Sequence, residues 1–163
     1  LKAKSIAFVD EKSGSGYLYP RVYFKQQKIE FPAYFKEVVF SGNHAASVEM
    51  LKAKKVDAIA VFANDKRAKT GAWTKFGEDV PKVRSIWIGP EIPNDPFCVR
   101  QEFYDRYPRV AHDVMFGLIE MLENPNSAAK LKDLLGVSSL ILATSQQYEP
   151  VRTMVRELDI QIQ

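Results

Sequence analysis

Short apolar runs, each ending at a polar turn that opens into a helix-spaced segment, constrain this chain more than any other feature. Ile6-Ala7-Phe8-Val9 is unbroken and stops at Asp10, which suits a strand buried on both faces of a parallel sheet. A glycine-rich turn follows, and residues 17–27 carry Leu18, Val22 and Tyr23 at helical spacing, with Pro20 admissible only in a first turn. The pattern then repeats. Glu37-Val38-Val39-Phe40 reads as a second strand, Ser41-Gly42-Asn43 as a turn, and His44 to Lys54 as a helix with Val48 and Leu51 inward. Asp57 to Phe62 reads as a third strand, residues 65–76 as a polar, Lys-rich helix, and Ser85-Ile86-Trp87-Ile88 as a fourth strand. Strands and helices alternating in this way predict an α/β layer with a mainly parallel sheet.

Between Gly89 and Pro96 three prolines fall within seven residues, so this stretch must be extended and marks the chain's clearest boundary. Beyond it, Phe97 to Arg100 reads as a short strand and Asp105 to Leu122 as a helix with Val110, Val114, Leu118 and Met121 on one face. Ser127 to Leu135 and Tyr148 to Leu158 read as further helices, and Met115 and Met121 as core fillers. One short strand with three amphipathic helices does not complete a sheet layer. Further polypeptide, or self-association with a second copy, is expected to cover that segment.

With 163 residues, 46% of them hydrophobic, the chain can build one ordinary core or two small ones. The 23 basic and 20 acidic residues leave a net charge of +3, too small and scattered to point to nucleic acid. Lys66-Arg67-Ala68-Lys69 reads as a solvated helix face. No apolar run approaches the roughly 20 residues of a membrane-spanning helix. Two histidines and one cysteine without zinc spacing imply no structural metal, and no cofactor motif is present. Cys98, in Phe97-Cys98-Val99, reads as a packed small hydrophobe. The chain opens on Leu1 with no charged-then-apolar leader, so it reads as a processed or excised piece.

Three places can carry chemistry. Asp10-Glu11-Lys12-Ser13-Gly14-Ser15-Gly16 lies between a strand and a helix, where glycines let N–H groups converge, the helix adds positive partial charge, and serine hydroxyls can donate. Those features make an oxyanion cradle; the same residues also suit a plain helix cap. No lysine follows Gly16 as a phosphate-binding P-loop requires, and Tyr19 stands where a dinucleotide fingerprint needs its third glycine. A small oxyanion therefore fits better than a nucleotide. Ser41-Gly42-Asn43-His44 forms a second strand-to-helix junction, with His44 either facing a ligand at the carboxyl edge of the sheet or lying on the surface behind a capping Ser41 or Asn43. Asp95, stiffened by prolines, suits a cleft carboxylate or an ordinary turn.

Taken in order, Asp10 to Tyr17, Ser41-Gly42-Asn43-His44, Val56-Asp57-Ala58, Ile92-Pro93-Asn94-Asp95-Pro96 and Tyr148-Glu149-Pro150-Val151 resemble the phosphonate- and phosphite-type substrate-binding proteins of bacterial ABC importers. The resemblance implies a type 2 periplasmic binding fold whose two α/β lobes close over a ligand. Residues 1–93 would be the second lobe, and residues 94–163 the hinge return and C-terminal helices of a first lobe whose opening portion is absent. It also implies capture without catalysis, a periplasmic location, and a membrane permease as partner. Ser13, Gly14, Ser15 and Gly16 would bind the oxyanion, His44 would donate to it, and Asp95 would accept from a protonated P–OH while repelling a fully ionised ligand. Two departures matter. Gly14 stands in the middle of a loop that is commonly Ser-Thr-Ser in such proteins, and Asn64 stands where an aminophosphonate binder has a glutamate for the ligand ammonium. Phosphite, phosphate and uncharged alkylphosphonates stay open as ligands. A charged His44, with an ordinary pKa near 6.5, would make affinity fall as pH rises through that value. An extracytoplasmic sensor domain is the alternative reading, and a phosphate-ester enzyme with His44 near Ser13 or Ser15 a more distant one.

Overall fold

The computed structural model describes residues 1–77, 83–136 and 139–161. At its centre, β1 (Ser5–Phe8) pairs in parallel with β2 (Glu37–Phe40) on one side and β3 (Ala58–Ile59) on the other, giving the order β2-β1-β3. The register sets Ser5 beside Glu37 and Phe8 beside Phe40. All four β1 residues are buried, as an unbroken apolar run in a covered parallel sheet requires. Ile6 and Phe8 share one face with Phe24 of α1 (Tyr19–Gln26), and the ring of Phe8 meets Tyr17, Phe31 and Phe24 edge-on at 5.2, 5.7 and 6.4 Å. Edge-to-face contacts of this kind add to the burial term. Ser47 and Val48 of α2 (His44–Lys52) are wholly buried. At the N-terminal end of the sheet the Asp57 carboxylate accepts from both the N–H and the hydroxyl of Ser5, each at 2.9 Å. Those bonds hold the carboxyl below the usual carboxylate range.

Several segments depart from the expected elements. The third strand is two residues long and not the six expected, although Asp57 N–H donates to the Ser5 carbonyl at 3.1 Å and Ala60 N–H to the Ala7 carbonyl at 2.9 Å on either side of it. Residues 65–71 form a turn and not a helix, because the Asp65 carboxylate gathers the N–H groups of Arg67, Lys69 and Thr70. These competing bonds confine the helix here to α3 (Ala72–Phe76). The basic residues around Ala68 are exposed, but on a turn in which Ala68 has φ 48°. Residues 85–88 stay outside the sheet, and Trp87 lies instead against Tyr23 of α1 with ring centroids 4.7 Å apart.

The chain divides into two compact units, Leu1–Pro93 with the segment from Tyr148 onward, and Asn94–Gln147. The sequence reading kept residues 94–163 together. The last helix, α7 (Glu149–Glu157), belongs instead with the first unit, because Met154 is buried against Tyr19 and Val22 and the Lys25 ammonium donates to the Glu157 carbonyl. In the second unit, Phe97 and Val99 are exposed and unpaired, and Cys98 is an exposed free thiol, not a packed one. The helix expected from Asp105 breaks into α4 (Gln101–Arg106) and α5 (Pro108–Glu120) at Tyr107, because proline disfavours helical geometry in the residue before it. α6 (Pro125–Leu135) comes next and ends at Gly136 with φ 68°. Val110, Val114 and Met121, expected inside, are exposed; Leu131 is the buried apolar residue of this unit among the described residues. Among the described residues this unit holds three α-helices and no strand, so the short strand expected at residues 97–100 does not form. Among the described residues no helix is long and apolar enough to cross a membrane.

Because Phe8 has no exposed surface and anchors the aromatic cluster, Phe8→Ala should cost about 3–5 kcal/mol by urea denaturation. A loss below about 1 kcal/mol would show that this cluster does not hold the first unit together.

Candidate functional site

The chain leaves β1 at Val9 and turns back on itself. The Asp10 carboxylate accepts the Lys12 N–H at 2.8 Å, Ser13 N–H donates to the Asp10 carbonyl at 3.2 Å, and Val9 N–H donates to the Gly16 carbonyl at 3.2 Å. Ser13 caps the next turn: its Oγ accepts the Gly16 N–H at 3.1 Å, and its carbonyl accepts Tyr17 and Leu18 N–H at 3.0 and 2.9 Å. The result is a π-helical turn, Gly14–Leu18, running directly into α1. At the head of this turn several donors are left over. Among the described residues no protein acceptor takes the N–H of Gly14 or Ser15, and nothing engages the Ser15 hydroxyl.

The two glycines serve different ends. A Cβ on Gly16 would lie 2.5 Å from Val9 Cγ2 and 2.7 Å from Ser13 Oγ, so only glycine lets the turn close on the strand. A Cβ on Gly14 would meet only the Tyr19 ring, at 3.9 Å. Gly14 is therefore not demanded by packing.

The exit of β2 is fastened to the exit of β1. Ser41 N–H donates to the Phe8 carbonyl and Gly42 N–H to the Val9 carbonyl, both at 2.8 Å, with Gly42 at φ 85°. Asn43 caps α2 by accepting the Ala46 N–H at 2.8 Å. His44, the first residue of α2, packs its ring edge-on against Phe62 at 4.8 Å, and its Nδ1 is buried without a partner. Burial pushes the His44 pKa below the ordinary 6.5, opposed by the nearby Asp10 carboxylate. Asn64, in the loop after β3, is exposed and donates its N–H to the Thr70 carbonyl at 2.9 Å.

Ser13–Gly16, His44 and Asn64 thus stand on loops leaving the same carboxyl edge of one sheet. The strand order reverses beside β1, and in open α/β sheets such a reversal is where ligands bind. Asp95 belongs to the second unit, where it is exposed. Two residues that sequence reasoning missed support the edge: Ser47, whose hydroxyl lies 2.6 Å from that of Ser41, and Phe62 behind His44. No local pattern announces them, because their partners are set by the parallel register. Among the described residues no group of three or more His, Cys, Asp or Glu is placed to hold a metal ion. A cavity of about 510 Å³ between α1, residues 87–90 and α7 has mainly apolar walls, including Trp87, Pro90 and Met154, and none of Ser13–Gly16, His44 or Asn64 lines it.

Gly16→Ala should cost about 1–3 kcal/mol in thermal or urea unfolding while Gly14→Ala costs nothing; equal losses would refute the asymmetry. An NMR titration of His44 should give a midpoint below 6.5, and Asp10→Asn should move it lower still. The folded-state pKa being depressed, the stability linked to His44 is complete above 6.5 and is lost as pH falls through the folded value. A midpoint at or above 6.5 would contradict the burial.

Comparison with known proteins bears on this edge. The family model described as "ABC transporter, phosphonate, periplasmic substrate-binding protein" matches residues 1–148. No curated protein matches the chain. Among solved structures, PhnD1 from Prochlorococcus marinus (MIT 9301) in complex with methylphosphonate superposes with a TM-score of 0.67 at 24% identity. That match covers 98% of this chain and 58% of the other, so these residues span somewhat over half of that protein's length, and they share its fold. The chain belongs to the family of phosphonate periplasmic substrate-binding proteins of ABC transporters.

Proposed function

We propose that this chain grips a phosphonate, phosphite or related phosphorus oxyanion reversibly, as part of the substrate-binding component of an ABC importer, and hands it to a membrane permease. The observation that carries the proposal is the pair of adjacent, unpartnered N–H groups at Gly14 and Ser15, which open a helix at the same edge of the sheet as His44. Unspent amides at a helix start, with the helix dipole behind them, form a ready anion site. The Ser13 oxygen is committed to the Gly16 N–H, yet its proton remains available, and the Ser15 hydroxyl is unengaged. His44 adds a neutral donor. An orphaned buried N–H is rarer than an orphaned lone pair, so the unpartnered Nδ1 assigns the proton to Nε2. Burial lowers the His44 pKa, so any fall in affinity as its charge is lost is expected at a pH below 6.5 and not at the value of an ordinary histidine. The methylphosphonate bound by PhnD1 is a ligand of the class this arrangement suits. Capture between two lobes draws donors from both, and these residues alone are expected to bind weakly.

Asn64 offers no negative charge to a ligand ammonium. In 31P NMR titrations, methylphosphonate should bind about tenfold more tightly than 2-aminoethylphosphonate, and Asn64→Glu should reverse the order. Equal affinities with Asn64 intact would remove it from the site, and no response to either compound would refute the functional assignment.

A further inference from the structure

The loop that carries His44 is held by a hydroxyl relay whose direction can be deduced. Ser41 Oγ lies 3.1 Å from the Phe8 carbonyl, 3.0 Å from the Asn43 carbonyl and 2.6 Å from Ser47 Oγ. A serine hydroxyl owns one proton. Both carbonyls can only accept, so the Ser41 proton must go to them. Ser47 is therefore the donor to Ser41. Ser47 has no exposed surface, and Ser41 is the partner of its hydroxyl among the described residues. A buried hydroxyl without that outlet would carry an unmet donor. The chain of bonds runs from the second turn of α2, through the loop after β2, to the last carbonyl of β1, parallel to the Ser41 and Gly42 N–H bonds across the same gap.

We propose that Ser47 is a positioning residue: by donating to Ser41 it locks residues 41–43, and with them His44 at the head of α2, against the carbonyl end of β1. The loop of Ser13–Gly16 leaves that same strand end. Ser47 thus sets how far His44 stands from the Gly14 and Ser15 amides without touching a ligand itself. Its importance for affinity rests on the oxyanion-binding reading above; its clamping of the two loops does not.

Amide hydrogen exchange on the 163-residue chain separates the two. In Ser47→Ala, exchange at Gly42, which donates to Val9, should quicken about tenfold. Exchange at Ala60, bonded to Ala7 on the other side of β1, should stay within about twofold. Ser41→Ala should match it, and the double variant should be no worse than either single one, since both cut one relay. Ser47→Cys, which fills the site with a weak donor, should behave alike and serves if the alanine variant fails to fold. Methylphosphonate affinity, read by 31P titration, should fall about fivefold in each. Gly42 and Ala60 accelerating together, neither accelerating, or effects of the two serines that multiply would overturn the clamp. A parent chain deaf to methylphosphonate would instead sink the binding reading, and the exchange rates would still decide for or against the clamp. Normal affinity with a loosened Gly42 would refute the link from clamp to site.

Discussion

Everything at the carboxyl edge depends on the parallel pairing of β1 and β2 continuing past the ends of the strands. Ordinary ladders stop where side chains cease to pack. Here the Phe8 and Val9 carbonyls go on to accept from Ser41 and Gly42, so two strand-to-helix loops are bound to each other before either helix begins. α1 and α2 consequently both open at the carboxyl edge of the sheet, one with the Gly14 and Ser15 amides unspent and the other with His44 at its first position.

The chemistry available at that edge is donation by neutral groups. On the proposed reading, backbone amides, serine hydroxyls and an imidazole would stabilise an oxyanion without an ion pair, so binding would depend on geometry more than on long-range attraction. The arrangement also explains the division between the glycines. Gly16 has no room for a side chain because the turn must close on Val9 and Ser13, whereas Gly14 has room to spare beside Tyr19. The first is a requirement of the fold, and the second leaves a place where the site can vary.

Much of this was legible in the residues. The apolar run ending at Asp10, the four residues of β2 and the start of α2 at His44 were read where they occur, because hydrophobic period and capping chemistry are local. Of the competing readings of the first loop, the cap is seen directly, with Ser13 serving as the cap; the cradle is the proposal that the N–H groups left over at Gly14 and Ser15 support. What failed was governed by competition over distance. Asp65 diverted three N–H groups from a helix, Trp87 found Tyr23 and not a strand neighbour, and Met154 drew α7 to α1. Ser47 was read only as part of a helix, since its partner is named by strand register and not by spacing.

The central claim is that the unspent amides of Gly14 and Ser15 hold the oxyanion, and chemical-shift mapping with methylphosphonate tests it most directly. The account predicts saturable shifts largest at Gly14 and Ser15, followed by His44. Saturable shifts centred on the Trp87 and Met154 cavity, with those two amides unmoved, would contradict it.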